Sequence, residues 1–225
     1  MNFLSHFYFD RTGSSSEKVI GSVLPDLVKN AKKEWNIHPH RIREKLIEDI
    51  YLIDLLEGWN KHLLVDKYFH SSDFFIYHTQ KLRLQIAPFL EKSLIRPSFV
   101  AHVALELVLD SLLITEEIVK PDDFYNHLSG GKRESLNDFL SLNNISETSH
   151  FFSFYDDFIK VAYLKEYVEA SSIMYSINRI CLRVWSNPFT EMQKRALSEI
   201  FMKYKDELKK EFVTIFDHIE DKLRG

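Results

Sequence analysis

The sequence contains few of the residues on which disulfide-rich, cysteine-ligated or strand-rich folds depend. It has one cysteine, Cys181, among 225 residues, which excludes an internal disulfide framework and a cysteine-based zinc site. Its six glycines and six prolines leave little turn chemistry for a barrel or sandwich of many short strands. The first residues have neither a basic leader nor a long apolar run, so we expect no signal peptide, no membrane association and a cytoplasmic location.

The residues that are abundant favour a folded helical protein. Hydrophobic residues make up 45% of the sequence and charged residues 28%, with a net charge of −4, which is typical of a globular chain. Long apolar-periodic stretches alternate with short breaker clusters, and this pattern predicts an all-α fold, most simply one domain over residues 1–225. Predicted helices begin after Ser15 or Ser16 and cover 41–69, 73–86, 99–114, 122–128, 133–142, 148–164 and 166–185.

The last segment of the chain has the clearest helical periodicity. Apolar residues recur three or four positions apart from Leu197 to Leu223, which makes one continuous stripe. Asn187 and Pro188 supply an N-cap and a first-turn proline ahead of this stripe. These signals predict a long C-terminal helix that packs against the other helices of a bundle.

A polar stripe interrupts the most apolar segment of the sequence, residues 99–114. His102, Glu106 and Asp110 stand at positions i, i+4 and i+8, so they share one face of the predicted helix. The two carboxylates repel each other, and more strongly in a low dielectric than in water. We therefore expect a cation beside them, either a divalent metal or the guanidinium of Arg179 or Arg183.

A second polar stripe, His62, Asp66 and His70, has the same spacing. Two facing stripes of this kind offer imidazole and carboxylate ligands to one cavity, a mixture that suits Mn²⁺, Fe²⁺ or Zn²⁺ better than Ca²⁺. Each stripe alone also fits a surface hydrogen bond or a buried ion-pair cluster, so both interpretations stay open. The remaining histidines are expected at the surface: His38, His40, His78, His127, His150 and His218.

Four blocks of the sequence resemble, in the same order, blocks of the acyl carrier protein phosphodiesterase family. That family typically begins MNFLAH, continues with GNxxxDFVKG, then has a glycine followed by HxHRxIDxxTD, and later has DxxxDHFL. The corresponding stretches here are 1–6 (MNFLSH), 21–29 (GSVLPDLVK), 58–70 (GWNKHLLVDKYFH) and 106–113 (ELVLDSLL). The resemblance covers 1–128, and beyond it only a helical tail with arginines is similar.

The resemblance implies a fold, a reaction and a set of site residues. Members of the family are relatives of the HD phosphohydrolases: all-α, metal-dependent enzymes that cut the phosphodiester joining 4′-phosphopantetheine to a serine of acyl carrier protein. Mn²⁺ is the metal that it favours, with Fe²⁺, Mg²⁺ or Zn²⁺ as alternatives. Matched by position, the metal ligands are Asp26, His62, Asp66, Glu106 and Asp110, and the histidines that act in catalysis are chosen from His6, His70 and His102.

Five of this chain's departures from the family pattern bear on the site. Glu106 replaces the usual aspartate and keeps its carboxylate, whereas Leu63 replaces an arginine. The other three changes affect ligand-type residues: Asn60 for the first histidine of the HxH pair, His70 for the last aspartate and Ser111 for the histidine of the DH pair. A metal site stays plausible because His70 and His102 add imidazoles, but the substrate becomes an open question.

A basic segment follows Asp26 and predicts an acidic partner. Six basic and two acidic residues lie between Lys29 and Lys45, which is the charge that attracts an acidic acyl carrier protein. The residues expected to bind it are Lys29, Lys32, Lys33, Arg41 and Arg43. A nucleic-acid partner is not expected, since the net charge is negative.

Two alternatives to the carrier-protein reaction stay open. One is a phosphohydrolase of a small nucleotide or phosphoester, because the metal chemistry is the same. The other is a non-catalytic helical binding protein with a degenerate site, whose polar stripes pair with Arg179 and Arg183 instead of a metal.

Overall fold

The computed structural model describes residues 1–91 and 93–225, and these residues confirm the all-α class. Helices account for 76% of the chain, and no strand occurs in the described ranges. The short helix α1 covers Phe3–Tyr8. Contacts group the chain into two compact units, one made of Met1–Ser5, Lys67–Ile118 and Glu166–Gly225, and one made of His6–Asp66 and Val119–Lys165. We call these the first unit and the second unit; the expectation of a single domain stays a prediction.

The second unit contains helices from two stretches of the chain, His6–Asp66 and Val119–Lys165. They are α2 (Ser16–Ala31), the 3-10 helix Pro39–Ile42, α3 (Arg43–Leu46), α4 (Ile50–His70) as far as Asp66, α7 (Pro121–Gly130), α8 (Arg133–Leu142) and α9 (Thr148–Val161). Helix α2 packs against α7 and α9. Its N-cap is Ser15, whose hydroxyl accepts a hydrogen bond from the Lys18 N–H, as the sequence predicts.

Two glycines allow α2 and α4 to cross at backbone contact. A Cβ atom on Gly21 would lie 2.3 Å from the carbonyl oxygen of Leu55, and one on Gly58 would lie 2.2 Å from that of Lys18. No larger residue fits either position without moving a helix backbone. The crossing sets the backbone of Ser22, next to Gly21, beside the side chain of His62 on α4.

The first unit is built around α6. It contains α5 (Asp73–Leu90), α6 (Pro97–Thr115), α10 (Ala170–Cys181), α11 (Glu191–Leu208) and α12 (Val213–Arg224), and α5, α10 and α11 all pack against α6. Helix α6 is long and apolar enough to cross a membrane by length and composition, but 61% of its most apolar window is buried inside the protein, as in a core helix. This burial explains why Asp110 and Ser111 on this helix sit in a dry environment.

Several helix boundaries differ from the sequence prediction. The stripe from Leu197 to Leu223 belongs to two helices, α11 and α12, because a turn at 209–212 separates them without changing the phase of the apolar positions. Helix α11 begins at Glu191, where Thr190 and Gln193 form a capping box, rather than at Pro188. Helix α5 continues past Pro88 to Leu90, because a proline this near the C-terminus removes a single hydrogen bond.

Two predicted helices begin or end elsewhere, and one predicted surface residue is buried. The stretch 41–69 is interrupted between α3 and α4, and 166–185 becomes a 3-10 helix, Tyr163–Val168, followed by α10. His78 was expected at the surface but is 3% exposed. Its Nδ1 lies 2.6 Å from the Tyr204 hydroxyl, and this hydrogen bond offsets the cost of burying the ring.

Candidate metal sites

Two groups of histidine and acidic side chains lie close enough together to hold a metal ion. The first, in the second unit, is His6, His62 and Asp66, which we call the buried cluster. The second, in the first unit, is His70, His102 and Glu106, which we call the half-exposed cluster. In each group the three ligand atoms lie within 4.8 Å of one another. Nothing in either group identifies the metal.

The buried cluster brings α1 and α4 together. His6 comes from α1, and its ring stacks on that of His62 with centroids 3.9 Å apart and an interplanar angle of 16°. The Nε2 atom of His6 is 3.4 Å from Oδ1 of Asp66, and Nε2 of His62 is 3.7 Å from Oδ2 of the same carboxylate. Both imidazoles therefore direct the same nitrogen at one carboxyl group.

The backbone of α2 fixes the tautomer of His62. Its Nδ1 lies 2.9 Å from the carbonyl oxygen of Ser22, which only accepts hydrogen bonds, so Nδ1 carries the proton and donates it. The lone pair of His62 is then on Nε2, the atom that faces Asp66. Histidines that bind metals are commonly oriented by such a second hydrogen bond.

His6 is the unexplained member of the buried cluster. It is 1% exposed, and neither ring nitrogen has a hydrogen-bond partner among the described residues, since the approach to Asp66 lacks hydrogen-bond geometry. Burial first, and the neighbouring His62 second, lower the pKa of His6 to about 3, so the ring is neutral. A buried polar atom without a partner costs about 1–3 kcal/mol. This cost is removed if a nitrogen of the His6 ring binds a ligand such as a metal ion.

Asp66 is the charged member of the buried cluster and the one most exposed to solvent. Its side chain is 34% exposed, whereas His62 is 3% exposed. Burial raises the pKa of Asp66, but the adjacent imidazole of His6 is the strongest influence in the opposite direction, and the net pKa is well below the usual range. The carboxyl group is therefore ionised, which is the form that binds a cation.

The half-exposed cluster is tighter. Nε2 of His102 is 3.0 Å from Oε1 of Glu106, Nε2 of His70 is 3.4 Å from the same oxygen, and the two nitrogens are 3.2 Å apart. The side chains of His70, His102 and Glu106 are 33%, 42% and 17% exposed. The ring of Phe75 lies edge-on to both imidazoles, at 4.9 and 5.0 Å. Three ligand-type atoms thus converge at the protein surface.

Glu106 is ionised and has a further cationic neighbour. The α-amino nitrogen of Met1 lies 3.2 Å from its Oε1 atom. Burial raises the pKa of Glu106, but this amino group and the two histidines together bring it well below the usual range. The i, i+4 pair of His102 and Glu106 predicted from the sequence is therefore present, with His70 added from α4.

Asp110 and Ser111, which follow Glu106 on α6, have structural partners instead of ligand positions. The two oxygens of Asp110 accept four hydrogen bonds, of 2.6–3.1 Å, from the Asn2 amide, the Leu4 N–H and the N–H and hydroxyl of Ser5. Burial raises the pKa of Asp110 to about 6, and these hydrogen bonds act against the rise. Ser111 donates to the Tyr167 carbonyl and accepts from Lys205, at 2.5 and 2.8 Å.

The remaining predicted ligand and the arginine alternative can also be placed. Asp26 is half-buried on α2 and is not a member of either cluster. In the described part of the chain, Glu106 and Asp110 contact no guanidinium, and Arg179 is exposed. The prediction that late arginines neutralise this stripe is therefore wrong, because the N-terminal segment and two histidines occupy the carboxylates.

The basic segment lies at the surface of the second unit. Lys29, Lys33, Arg41 and Arg43 are exposed, and the two arginines form no ion pair with any described residue. Lys32 is committed elsewhere, since its amine is 2.6 Å from a carboxylate oxygen of Glu147. Four of the five predicted partner-binding side chains thus present an available charge.

Sequence reasoning missed three contributors to these sites. The Ser22 carbonyl has no sequence signal, because any residue provides one. Arg83 and Arg96, which line clefts next to His102, were not singled out, although Arg96 directly precedes the apolar segment that carries the stripe.

Comparisons with known proteins identify no relative. No protein-family model matches the chain, and neither the curated proteins nor the solved structures include a significant match.

Proposed function

We propose that this protein is a divalent-metal-dependent phosphodiester hydrolase whose cation is held by His6, His62 and Asp66. The observation that carries the proposal is the state of His6: a neutral, fully buried imidazole with no hydrogen bond from either nitrogen to a described residue, stacked on a second imidazole that faces the same carboxylate. A cation between the three side chains gives a lone pair of His6 a partner, and Asp66 offers it a carboxylate oxygen.

The ligand set fits a catalytic metal better than a structural one. Two imidazoles and one carboxylate suit Mn²⁺, Fe²⁺ or Zn²⁺, and three protein ligands leave coordination positions for water or substrate. A bound divalent ion lowers the pKa of water and polarises a phosphoryl oxygen. The chain's own contribution is to hold His62 in one tautomer through Ser22, to keep both imidazoles dry, and to leave Asp66 open to solvent.

The phosphodiester substrate rests on the resemblance to the acyl carrier protein phosphodiesterase family. Two blocks of that resemblance, 1–6 and 58–70, contain all three members of the buried cluster. Holo acyl carrier protein in the cytoplasm is therefore the substrate that we propose. The exposed Lys29, Lys33, Arg41 and Arg43 support an acidic protein partner, because like the cluster they belong to the second unit and their charge is available.

The activity is tested with holo acyl carrier protein and Mn²⁺, with mass spectrometry to follow loss of the phosphopantetheine arm. We expect cleavage by the wild type and by His40→Ala, a matched change of an exposed histidine in the same unit, and none by His62→Ala. Absence of cleavage, together with metal-dependent hydrolysis of a small phosphodiester, would instead support the small-substrate alternative. Absence of both reactions would refute the enzyme.

The partner surface has its own test. Arg41→Glu combined with Arg43→Glu should weaken binding of acyl carrier protein at least about ten-fold and reduce its salt dependence, because long-range attraction is lost. Lys160→Glu, another exposed basic residue of the second unit, serves as the control for net charge. Equal binding by all three proteins would contradict the assignment of this surface.

A further inference from the structure

The half-exposed cluster brings three ligand-type atoms into one small triangle. Its three atoms, Nε2 of His70, Nε2 of His102 and Oε1 of Glu106, form a triangle with edges of 3.2, 3.0 and 3.4 Å. If both nitrogens carry protons, both donate to Glu106 and the two N–H groups oppose each other across 3.2 Å. If only one carries a proton, it donates to the lone pair of the other nitrogen, and Glu106 then relies on the amino group of Met1.

A metal ion satisfies all three atoms at once. With bonds of about 2.0–2.1 Å to nitrogen or oxygen, a tetrahedral centre has ligand–ligand edges of about 3.3–3.4 Å. The observed edges of 3.0–3.4 Å are therefore within a few tenths of an ångström of that shape. The histidines reach it from different helices, α4 and α6, and Phe75 packs edge-on against both rings and limits their rotation.

Two surface clefts in the first unit adjoin this cluster, and His102 and Ser98 line both of them. One, of 360 Å³, is also lined by Phe75 and Arg83, and the other, of 590 Å³, is also lined by Arg96. Both arginines are exposed, and neither forms an ion pair with a residue in the described ranges. Unpaired guanidiniums are the preferred partners of phosphate oxygens.

We propose that His70, His102 and Glu106 form a second divalent-cation site, and that the Arg83 and Arg96 clefts bind the phosphate group of a ligand that this cation also contacts. This site goes beyond the function proposed above, because it belongs to the first unit and includes none of the three residues of the buried cluster. Helix α6 carries Ser98 one turn from His102, about 6 Å along the axis, so a small phosphate ester is long enough to reach from the cation to the clefts.

Met1 provides the competing explanation for part of this cluster. Its amino nitrogen, 3.2 Å from Oε1, balances the charge of Glu106 without a metal. It does not involve the contact of His70 with His102, so the two histidines are the residues to test.

The cation site is tested by equilibrium dialysis with Zn²⁺ alone. We expect His70→Ala and His102→Ala each to lose one equivalent of zinc relative to the wild type, with at least a ten-fold loss of affinity at that site. His218→Ala, an exposed histidine of the same unit, should bind as the wild type does. His62→Ala should keep this equivalent, so failure of the buried cluster is distinguishable. Equal zinc binding by wild type and both variants, all with native circular dichroism, overturns the proposal.

The phosphate ligand is tested in the His62→Ala background, where only the half-exposed cluster binds metal. Paramagnetic broadening of the ³¹P signal of inorganic phosphate by bound Mn²⁺ reports a phosphate close to the ion. We expect broadening that falls at least five-fold in Arg83→Gln combined with Arg96→Gln and is unchanged in Arg179→Gln, an exposed arginine outside the clefts. Broadening that is absent, or equal in all variants, overturns the ligand assignment.

Discussion

The two clusters contain the same ligand types, two histidines and one carboxylate, in opposite environments. In the buried cluster the histidines are 1% and 3% exposed, and one of them has no hydrogen bond to any residue that the structure describes. In the half-exposed cluster the histidines are 33% and 42% exposed and contact each other. A dry site lacks the water that replaces a missing ligand, so it loses stability when empty, whereas water solvates an empty surface site. We therefore expect the fold of the second unit, more than that of the first, to depend on metal.

The largest expected effect comes from the helix crossing that supports the buried cluster. Gly58→Ala places a Cβ atom 2.2 Å from a backbone oxygen of α2, so we expect a loss of about 3 kcal/mol or more in the free energy of unfolding. Gly130→Ala is the control, because its Cβ meets only the flexible side chain of Ser16, at 3.2 Å, and should change stability by less than about 1 kcal/mol. Urea unfolding of the metal-free proteins measures both, and equal stability of the two variants contradicts backbone contact at this crossing.

Asp110→Asn tests whether Asp110 stabilises the fold or binds the metal. The change replaces an acceptor of four hydrogen bonds with an amide that accepts fewer, so we expect a stability loss of about 2 kcal/mol. Metal affinity should stay within about three-fold of wild type, whereas Asp66→Asn should lower it by more than about ten-fold. Isothermal titration with Mn²⁺ measures both, and a large loss of affinity in Asp110→Asn restores this residue to the ligand set.

Replacing each of two buried histidines with leucine is expected to change the stability of the protein in opposite directions. His6 has no hydrogen-bond partner within 1–91 and 93–225, so His6→Leu should raise the stability of the metal-free protein by about 1 kcal/mol while removing a metal ligand. His78 has the Tyr204 hydroxyl as its partner at 2.6 Å, so His78→Leu should lower stability by about 1–3 kcal/mol. Unfolding of metal-free protein measures the two signs. A stability loss in His6→Leu equal to that in His78→Leu contradicts the interpretation of His6 as an unsatisfied ligand.

The smallest effect concerns pH. Burial lowers the pKa of His78 from 6.5, so the folded protein resists protonation there while the unfolded chain accepts the proton. Its stabilising contribution is therefore present above pH 6.5 and is lost as the pH falls below that value. We expect the unfolding free energy of His78→Leu to fall less steeply than that of wild type between pH 6.5 and 5. Parallel curves contradict a buried, neutral His78.

Periodicity predicted the local part of the sites. The spacing of His62 with Asp66, and of His102 with Glu106, places each pair on one helix face, and both pairs are in contact. Periodicity says nothing about which distant segment meets a helix, so His6 was a candidate only through the resemblance, and its place beside His62 was not predicted. It could not show that backbone groups of Leu4 and Ser5 occupy Asp110.

The all-α class could also be predicted from the sequence, but the breaks between helices that share one apolar stripe could not. Apolar stripes and breakers predicted the helices, but the turn at 209–212 keeps the stripe in phase, so the pattern gives no sign of a break. Burial of His78 depends on Tyr204, which is 126 positions away in the sequence. Local patterns identify elements, and partners at long range decide which polar residues become buried.

Anomalous scattering from crystals grown with Mn²⁺ tests the central claim most directly. The account predicts a manganese peak about 2.1–2.2 Å from Nε2 of His6, Nε2 of His62 and an oxygen of Asp66, and no such peak in His62→Ala. Manganese-saturated crystals with no peak among these three side chains, and with His6 still buried without a partner, would contradict it.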